Sequence, residues 1–237
     1  MAYSDFDERY EICAFPLNQN AHRYDLTLMI DENNMPKYNI SRIETQNIIN
    51  LPQKFDETIT TKIPVISFFD NSSVICVHKN AEKNGYQFLE SWNGKYGNEL
   101  YIAFDKEELA YCTEAIKIYQ TKPSFVICDL LKIMSMPLKE VLSIKTLSFS
   151  ITKDSKNDIL LEFDNFDGTR KIASPAFLMA LLLEQHLKAI KAEINETPKE
   201  LYFCFPYDRD IENRKRIVKW IQESCKLAKI NCNFVDA

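Results

Sequence analysis

Three observations predict an α/β fold for this chain of 237 residues. The C-terminal third alternates helix-period and strand-period apolar runs, the pattern of parallel strands joined by crossover helices. Ahead of it, short apolar runs broken by turn residues read as antiparallel strands. The apolar fraction, 46%, lets a chain of this length close a core without disulfides or metals.

The elements follow in order. Tyr24 to Ile30 and Lys37 to Ile43 are extended segments around Asp31-Glu32-Asn33-Asn34-Met35-Pro36, whose residues favour turns, so a hairpin is predicted there. The stretch to Lys62 is polar, contains Pro52 and shows no period; it reads as a connector or arm. Val65 to Phe69 and Val74 to Val77 are strands about the turn Asp70-Asn71-Ser72-Ser73. Tyr86 to Leu89 and Leu100 to Phe104 are further strands. Leu109, Cys112, Ala115, Ile116 and Tyr119 fall at three-and-four spacing and predict an amphipathic helix over Asp105 to Gln120. Phe125 to Met134 predicts a shorter apolar helix, stopped before Pro137. Leu147 to Ile151, Ile159 to Phe163 and Thr169 to Ile172 resemble three antiparallel strands. Ser174-Pro175 is a helix start, serine as N-cap and proline in the first helical position, opening a helix from Ala176 to about Ile194. Glu200 to Phe205 is a buried-type strand, Asp210 caps a helix reaching Lys229, and Asn231 to Val235 is the last strand.

Composition excludes several functions. Average usage would give about 17 glycines, and the chain has four, Gly85, Gly94, Gly97 and Gly168. Glycine lets a backbone turn tightly against a phosphate, and neither a G-x-G-x-x-G nor a G-x-x-x-x-G-K-[ST] pattern occurs; dinucleotide and Walker-type chemistry is excluded. Basic residues number 29 against 34 acidic, a net of −5. Even the densest basic stretch, Arg209, Arg214, Lys215, Arg216 and Lys219, is interleaved with Asp208, Asp210 and Glu212, so nucleic acid is not an expected partner. Seven cysteines form no C-x-x-C pair, and several sit in apolar runs, as buried reduced thiols do. With an acidic N-terminus and no run of membrane-spanning length, the chain is expected to be intracellular, cytoplasmic or nuclear, with no membrane partner.

The segment from Ser174-Pro-Ala-Phe-Leu-Met-Ala-Leu-Leu-Leu-Glu-Gln-His-Leu-Lys through Thr197-Pro-Lys-Glu-Leu-Tyr-Phe-Cys-Phe-Pro206-Tyr-Asp-Arg-Asp, with Lys229-Ile230-Asn231-Cys232 opening the last strand, resembles the seventy-kilodalton heat-shock chaperone family. The resemblance covers Pro64 to Ala237 and concerns the first lobe of the nucleotide-binding domain. It implies an actin-like, ribonuclease-H-like half over residues 63–237, with residues 1–62 as an added N-terminal segment carrying the hairpin. It also implies that the chain lacks the opposite lobe of the nucleotide cleft, and that something must cover the surface this lobe would have buried. The hairpin around Asp31 to Pro36 is the expected cover.

The departures from the family point away from catalysis. The family's phosphate loop, Asp-Leu-Gly-Thr-Thr, is represented by Phe68-Phe69-Asp70-Asn71-Ser72-Ser73, with Phe69 or Asp70 in the aspartate position and no glycine. The family's catalytic lysine falls near Asp129, Leu130 and Leu131, with Lys132 about two places out of register. A leucine supplies no charge to a transferring phosphate. ATP hydrolysis and tight ATP binding are therefore not expected, and no cofactor or metal is assigned. The expected function is a non-catalytic, chaperone-derived protein-interaction module, a pseudo-ATPase adaptor. The alternative is a weak nucleotide-binding or co-chaperone-like regulator. The expected partner is another protein, a second copy of the chain among the candidates.

His22, His78 and His186 are scattered, and the expectation is isolated surface or half-buried histidines. Glu162, Asp164 and Asp167 read as a solvated turn rather than an acid/base pair. Trp92, in a loop-like stretch, and Trp220, at the edge of a helix stripe, are the candidate protein contacts.

Overall fold

The computed structural model describes residues 17, 20–80, 84–144, 147–155, 158–206 and 210–236; Asp208 and Arg209, named above, lie outside them. The chain divides into two units, residues 1–44 and 45–237.

The first unit holds the predicted hairpin. Strands β1 (Arg23–Ile30) and β2 (Pro36–Ile43) pair antiparallel, with Leu26 opposite Ile40 and Leu28 opposite Tyr38. Asp31 closes the turn by accepting from the N–H groups of Asn33 and Met35, both at 2.9 Å. Apolar residues alternate onto one face, and Leu26, Leu28 and Ile30 remain 58%, 68% and 72% exposed.

The second unit begins with two short helices, α1 (Gln46–Ile49) and α2 (Leu51–Thr58). Its main sheet contains β3 (Val65–Phe69), β4 (Ser72–Asn80), β5 (Asn84–Phe88) and the short β6 (Asn98–Glu99). A small sheet of β7 (Ile102–Ala103), β8 (Ala110–Tyr111) and β9 (Val126–Ile127) surrounds α3 (Cys112–Tyr119). Helices α4 (Leu130–Ser135) and α5 (Leu138–Val141) follow, then the three-stranded β10 (Ser150–Lys153), β11 (Ile159–Asp164) and β12 (Arg170–Ala173). The chain ends α6 (Pro175–Ile194), β13 (Glu200–Cys204), α7 (Ile211–Leu227), β14 (Asn231–Val235).

The main sheet runs β14-β13-β3-β4-β5, with β6 on the start of β4. β3, β4 and β5 are successive antiparallel neighbours, whereas β13 lies parallel to both β3 and β14. The chain is thus a mixed α/β protein. Strand alternation sends Ile66, Phe68, Ile75, Val77, Leu201 and Phe203 to one face, against Leu178, Leu182, Ile217 and Ile221 of α6 and α7. It sends Val65, Phe69, Val74, Cys76 and Cys204 to the other, against Ile48, Leu51 and Phe55.

This second face corrects two expectations. The stretch read as a polar connector is helical, and Ile48, Leu51 and Phe55 are fully buried. The unit boundary therefore falls between residues 44 and 45 rather than 62 and 63. The tie is polar as well: an Asp56 carboxylate oxygen accepts from the Tyr86 N–H at 2.7 Å, joining α2 to β5. Two helix expectations also contract. The Asp105 start is displaced to Cys112 because Ala110 and Tyr111 pair with β7 as a strand, and Cys112 sits at φ +51°. The Phe125 helix becomes β9 followed by α4, because Val126 and Ile127 pair with β7 and Asp129 turns the chain at φ +57°.

Candidate functional site

Phe69 and Ser72 are the last paired residues of β3 and β4, so Asp70 and Asn71 alone form the turn between them. Asp70 is exposed and left-handed, at φ +46°. Phe69 is 1% exposed in the second core. Of the two residues, Asp70 alone faces the solvent. Asn71 pins the turn in two directions. Its side-chain oxygen accepts from the Asp129 N–H at 3.0 Å, and its carbonyl accepts from the Leu100 N–H at 2.7 Å.

A cavity of about 410 Å³ opens there, lined by Asp70, Asn71, Asp129, Lys132 and Ser135. α4 builds its far wall by the arithmetic of the helix. Leu130, Leu131, Ile133 and Met134 are fully buried, leaving Asp129, Lys132 and Ser135 at three-residue spacing along the remaining face. The wall is braced from behind, since Arg216 Nε of α7 donates to the Ser135 carbonyl at 2.7 Å. The Asn71 amide nitrogen is buried with no acceptor among the described residues. The cavity thus offers a donor from Lys132 and acceptors from two carboxylates.

Lys132 is the residue that register arithmetic set aside. The sequence signal that finds it is Asp129-x-x-Lys132-x-x-Ser135, one helix face, rather than its offset from a family position. Leu130 and Leu131 belong to the core.

Ser72 and Ser73 part company. Ser72 opens β4 opposite Phe69, whereas Ser73 is fully buried and turned into the core. There it meets His186, with Ser73 Oγ and His186 Nε2 2.8 Å apart. His186 Nδ1 lies 2.7 Å from the Leu182 carbonyl, which can only accept. The proton therefore sits on Nδ1, Nε2 is an acceptor, and the Ser73 hydroxyl donates to it. Trp92 Nε1–H donates to the Ser73 carbonyl and hydroxyl oxygens, both at 3.1 Å, and its ring lies 4.4 Å from that of His186. Burial holds the imidazole neutral, its pKa lowered to about 4.

These contacts correct two further expectations. His186 is neither surface nor half-buried; it is a fully buried hydrogen-bond centre. Trp92 is 5% exposed, which leaves a partner almost nothing to touch. Its ring is consumed by the serine–histidine network. Trp220 is half-buried against the main core. His22 belongs to the first unit, and His78 packs edge-on against Tyr86. Arg170 pairs with Glu162 and Asp164 at 3.2 and 3.5 Å, and Lys171 pairs with Asp167 at 3.2 Å, around the β11–β12 turn. Hydrogen bonds from Thr169 and Asn165 hold the Asp167 carboxyl well below its ordinary range.

The family resembled above would bring a nucleotide and a metal ion to the Asp70 turn. The residues present do not fit its hydrolytic arrangement: the turn has no glycine, and the Ser73 hydroxyl already donates inside the core. Among the described residues no group of three or more His, Cys, Asp or Glu converges on a metal position. No helix among them is long and apolar enough to cross a membrane. Neither family models nor curated proteins give a match to this chain.

Proposed function

We propose that residues 45–237 form a non-catalytic lobe of the chaperone ATPase type, an actin-like or ribonuclease-H-like half that works as a protein-interaction module. The position of Ser73 carries this reading. In the resembled loop a hydroxyl at this place surrounds phosphate, whereas here it donates to His186 at 2.8 Å in a fully buried site. Leu130 and Leu131, near the family's lysine position, are core residues. The strand order supports the fold: an antiparallel run β3-β4-β5 extended on its other side by the parallel pair β13 and β14. Trp220 on α7 remains the candidate contact.

A second reading, a weak nucleotide-binding regulator, is favoured by one observation. Lys132 shares the cavity with Asp70 and Asn71, and its ammonium supports this reading as the cation that would meet a phosphate. Thermal melting with and without ATP and magnesium separates the two, because a ligand bound only by the folded state raises the transition. The module reading expects no shift and no phosphate release above blank. The regulator reading expects a rise that Lys132→Ala removes. Turnover lost in Asp70→Asn would overturn the non-catalytic assignment. Pull-down with the full chain and with Trp220→Ala tests the contact.

A further inference from the structure

α7 ends at Leu227 and β14 begins at Asn231. The reversal between them is closed by the Ile230 N–H donating to the Cys225 carbonyl at 3.0 Å. It brings Cys225, in the last turn of the helix, toward Cys232, the second residue of the strand, which lies opposite Leu201 and so on the sheet face that α7 covers. Both pack on the main core, but their access differs: Cys225 is 1% exposed and Cys232 is half-buried. β14 is also the edge of the main sheet, held along its length by β13 alone.

We propose that Cys225 and Cys232 are an oxidative modification site, at which a hydroperoxide forms a disulfide that clamps the edge strand to the end of α7. Solvent reaches the sulfur of Cys232 first. Its electron pair attacks the peroxide, the O–O bond breaks, Cys232 becomes a sulfenic acid, and water or an alcohol leaves. The Cys225 sulfur then attacks the Cys232 sulfur. The S–O bond breaks, the hydroxide departs as water with the Cys225 proton, and the S–S bond forms. Two thiols have lost two electrons and the peroxide has gained them. Burial and the neighbouring thiol push the Cys225 thiol up, so it serves as the resolving partner rather than the first to react. Cys76 and Cys204, which share the second core, have no such route, since both are fully buried.

The test is treatment of the reduced full-length protein with hydrogen peroxide, alkylation of remaining thiols, and tryptic mapping. Lys226 and Lys229 separate the two cysteines, so a bridge is seen as two linked peptides. The expected result is a Cys225–Cys232 peptide pair lacking two hydrogens, reversed by dithiothreitol and accompanied by a higher melting temperature. Cys232→Ser should abolish both changes. Cys225→Ser should leave a sulfenic acid at Cys232 that dimedone traps. The proposal is overturned if both cysteines remain alkylatable after another thiol has been oxidised, or if Cys232 links to Cys13 instead.

Discussion

Ser73 and His186, separated by 113 positions, are joined by a 2.8 Å hydrogen bond inside a fully buried site. The bond ties the start of β4 to the middle of α6, and Trp92 closes it from the side. Such a network works only while the imidazole is neutral. Protonating Nε2 would replace the acceptor with a second donor facing the Ser73 hydroxyl, in a place where charge is poorly solvated.

Stability should therefore fall on mild acidification. The His186 pKa is about 4 in the folded chain against an ordinary value of 6.5. Between those values the unfolded chain takes a proton that the native state refuses, so stability declines as pH drops through that window. The full loss is about 3 kcal/mol, reached below the lower value. Urea unfolding across the window should show the decline, and His186→Gln should flatten this part of it. An unchanged slope in the variant would remove the histidine from the explanation.

Ser73→Ala deletes the donor to Nε2 and leaves a buried acceptor unpaired. The expected cost is about 1 to 3 kcal/mol, measured by chemical denaturation. If Ser73 instead served a bound phosphate, its removal would weaken ligand binding with little effect on the free protein.

Gly97 supports the same place from the backbone. It sits at φ +72°, and an added Cβ would lie 2.1 Å from the Ser73 carbonyl oxygen. Gly168, at φ +77°, has nothing within 4 Å of its would-be Cβ. Gly97→Ala should therefore be severe, above about 2 kcal/mol, whereas Gly168→Ala meets only backbone strain of about 1 to 2 kcal/mol. Equal losses would mean that the close approach to Ser73 is unimportant.

The contrast between these residues shows what local pattern can and cannot reveal. α6 was legible because its signals are local: Ser174 Oγ accepts from the Phe177 N–H at 3.2 Å, as an N-cap should. β13, α7 and β14 were legible for the same reason. β8 was not, because Ala110 and Tyr111 are strand residues only by virtue of β7 beside them. α1 and α2 were hidden because Ile48, Leu51 and Phe55 span too few turns, among too many polar neighbours, to display a period. At the site, the Asp70–Asn71 turn was visible. The Ser73–His186 pairing was not, since no pattern in either segment specifies a contact across 113 positions. Lys132 was within reach of helix-face arithmetic.

The second face of the sheet is closed by α1 and α2. Every buried apolar side chain among the described residues lies at Ile48 or beyond, so a fragment of residues 45–237 contains a complete core. It should melt cooperatively, close to the full chain. A fragment of residues 61–237 loses Ile48, Leu51, Phe55 and the Asp56 bond to Tyr86, and uncovers Val65, Phe69, Val74 and Cys76. It should melt lower, bind hydrophobic dye and lose cooperativity. Phe55→Ala in the full chain gives the same deficit in miniature, about 3 to 5 kcal/mol for an aromatic removed from a closed core. The hairpin stands on different ground. With Leu26, Leu28 and Ile30 exposed and only two strands, it is marginal by itself in water, and the sheet's cover is α1 and α2. Were the 45–237 fragment to melt as poorly as the shorter one, the hairpin rather than the helices would be what stabilises the lobe.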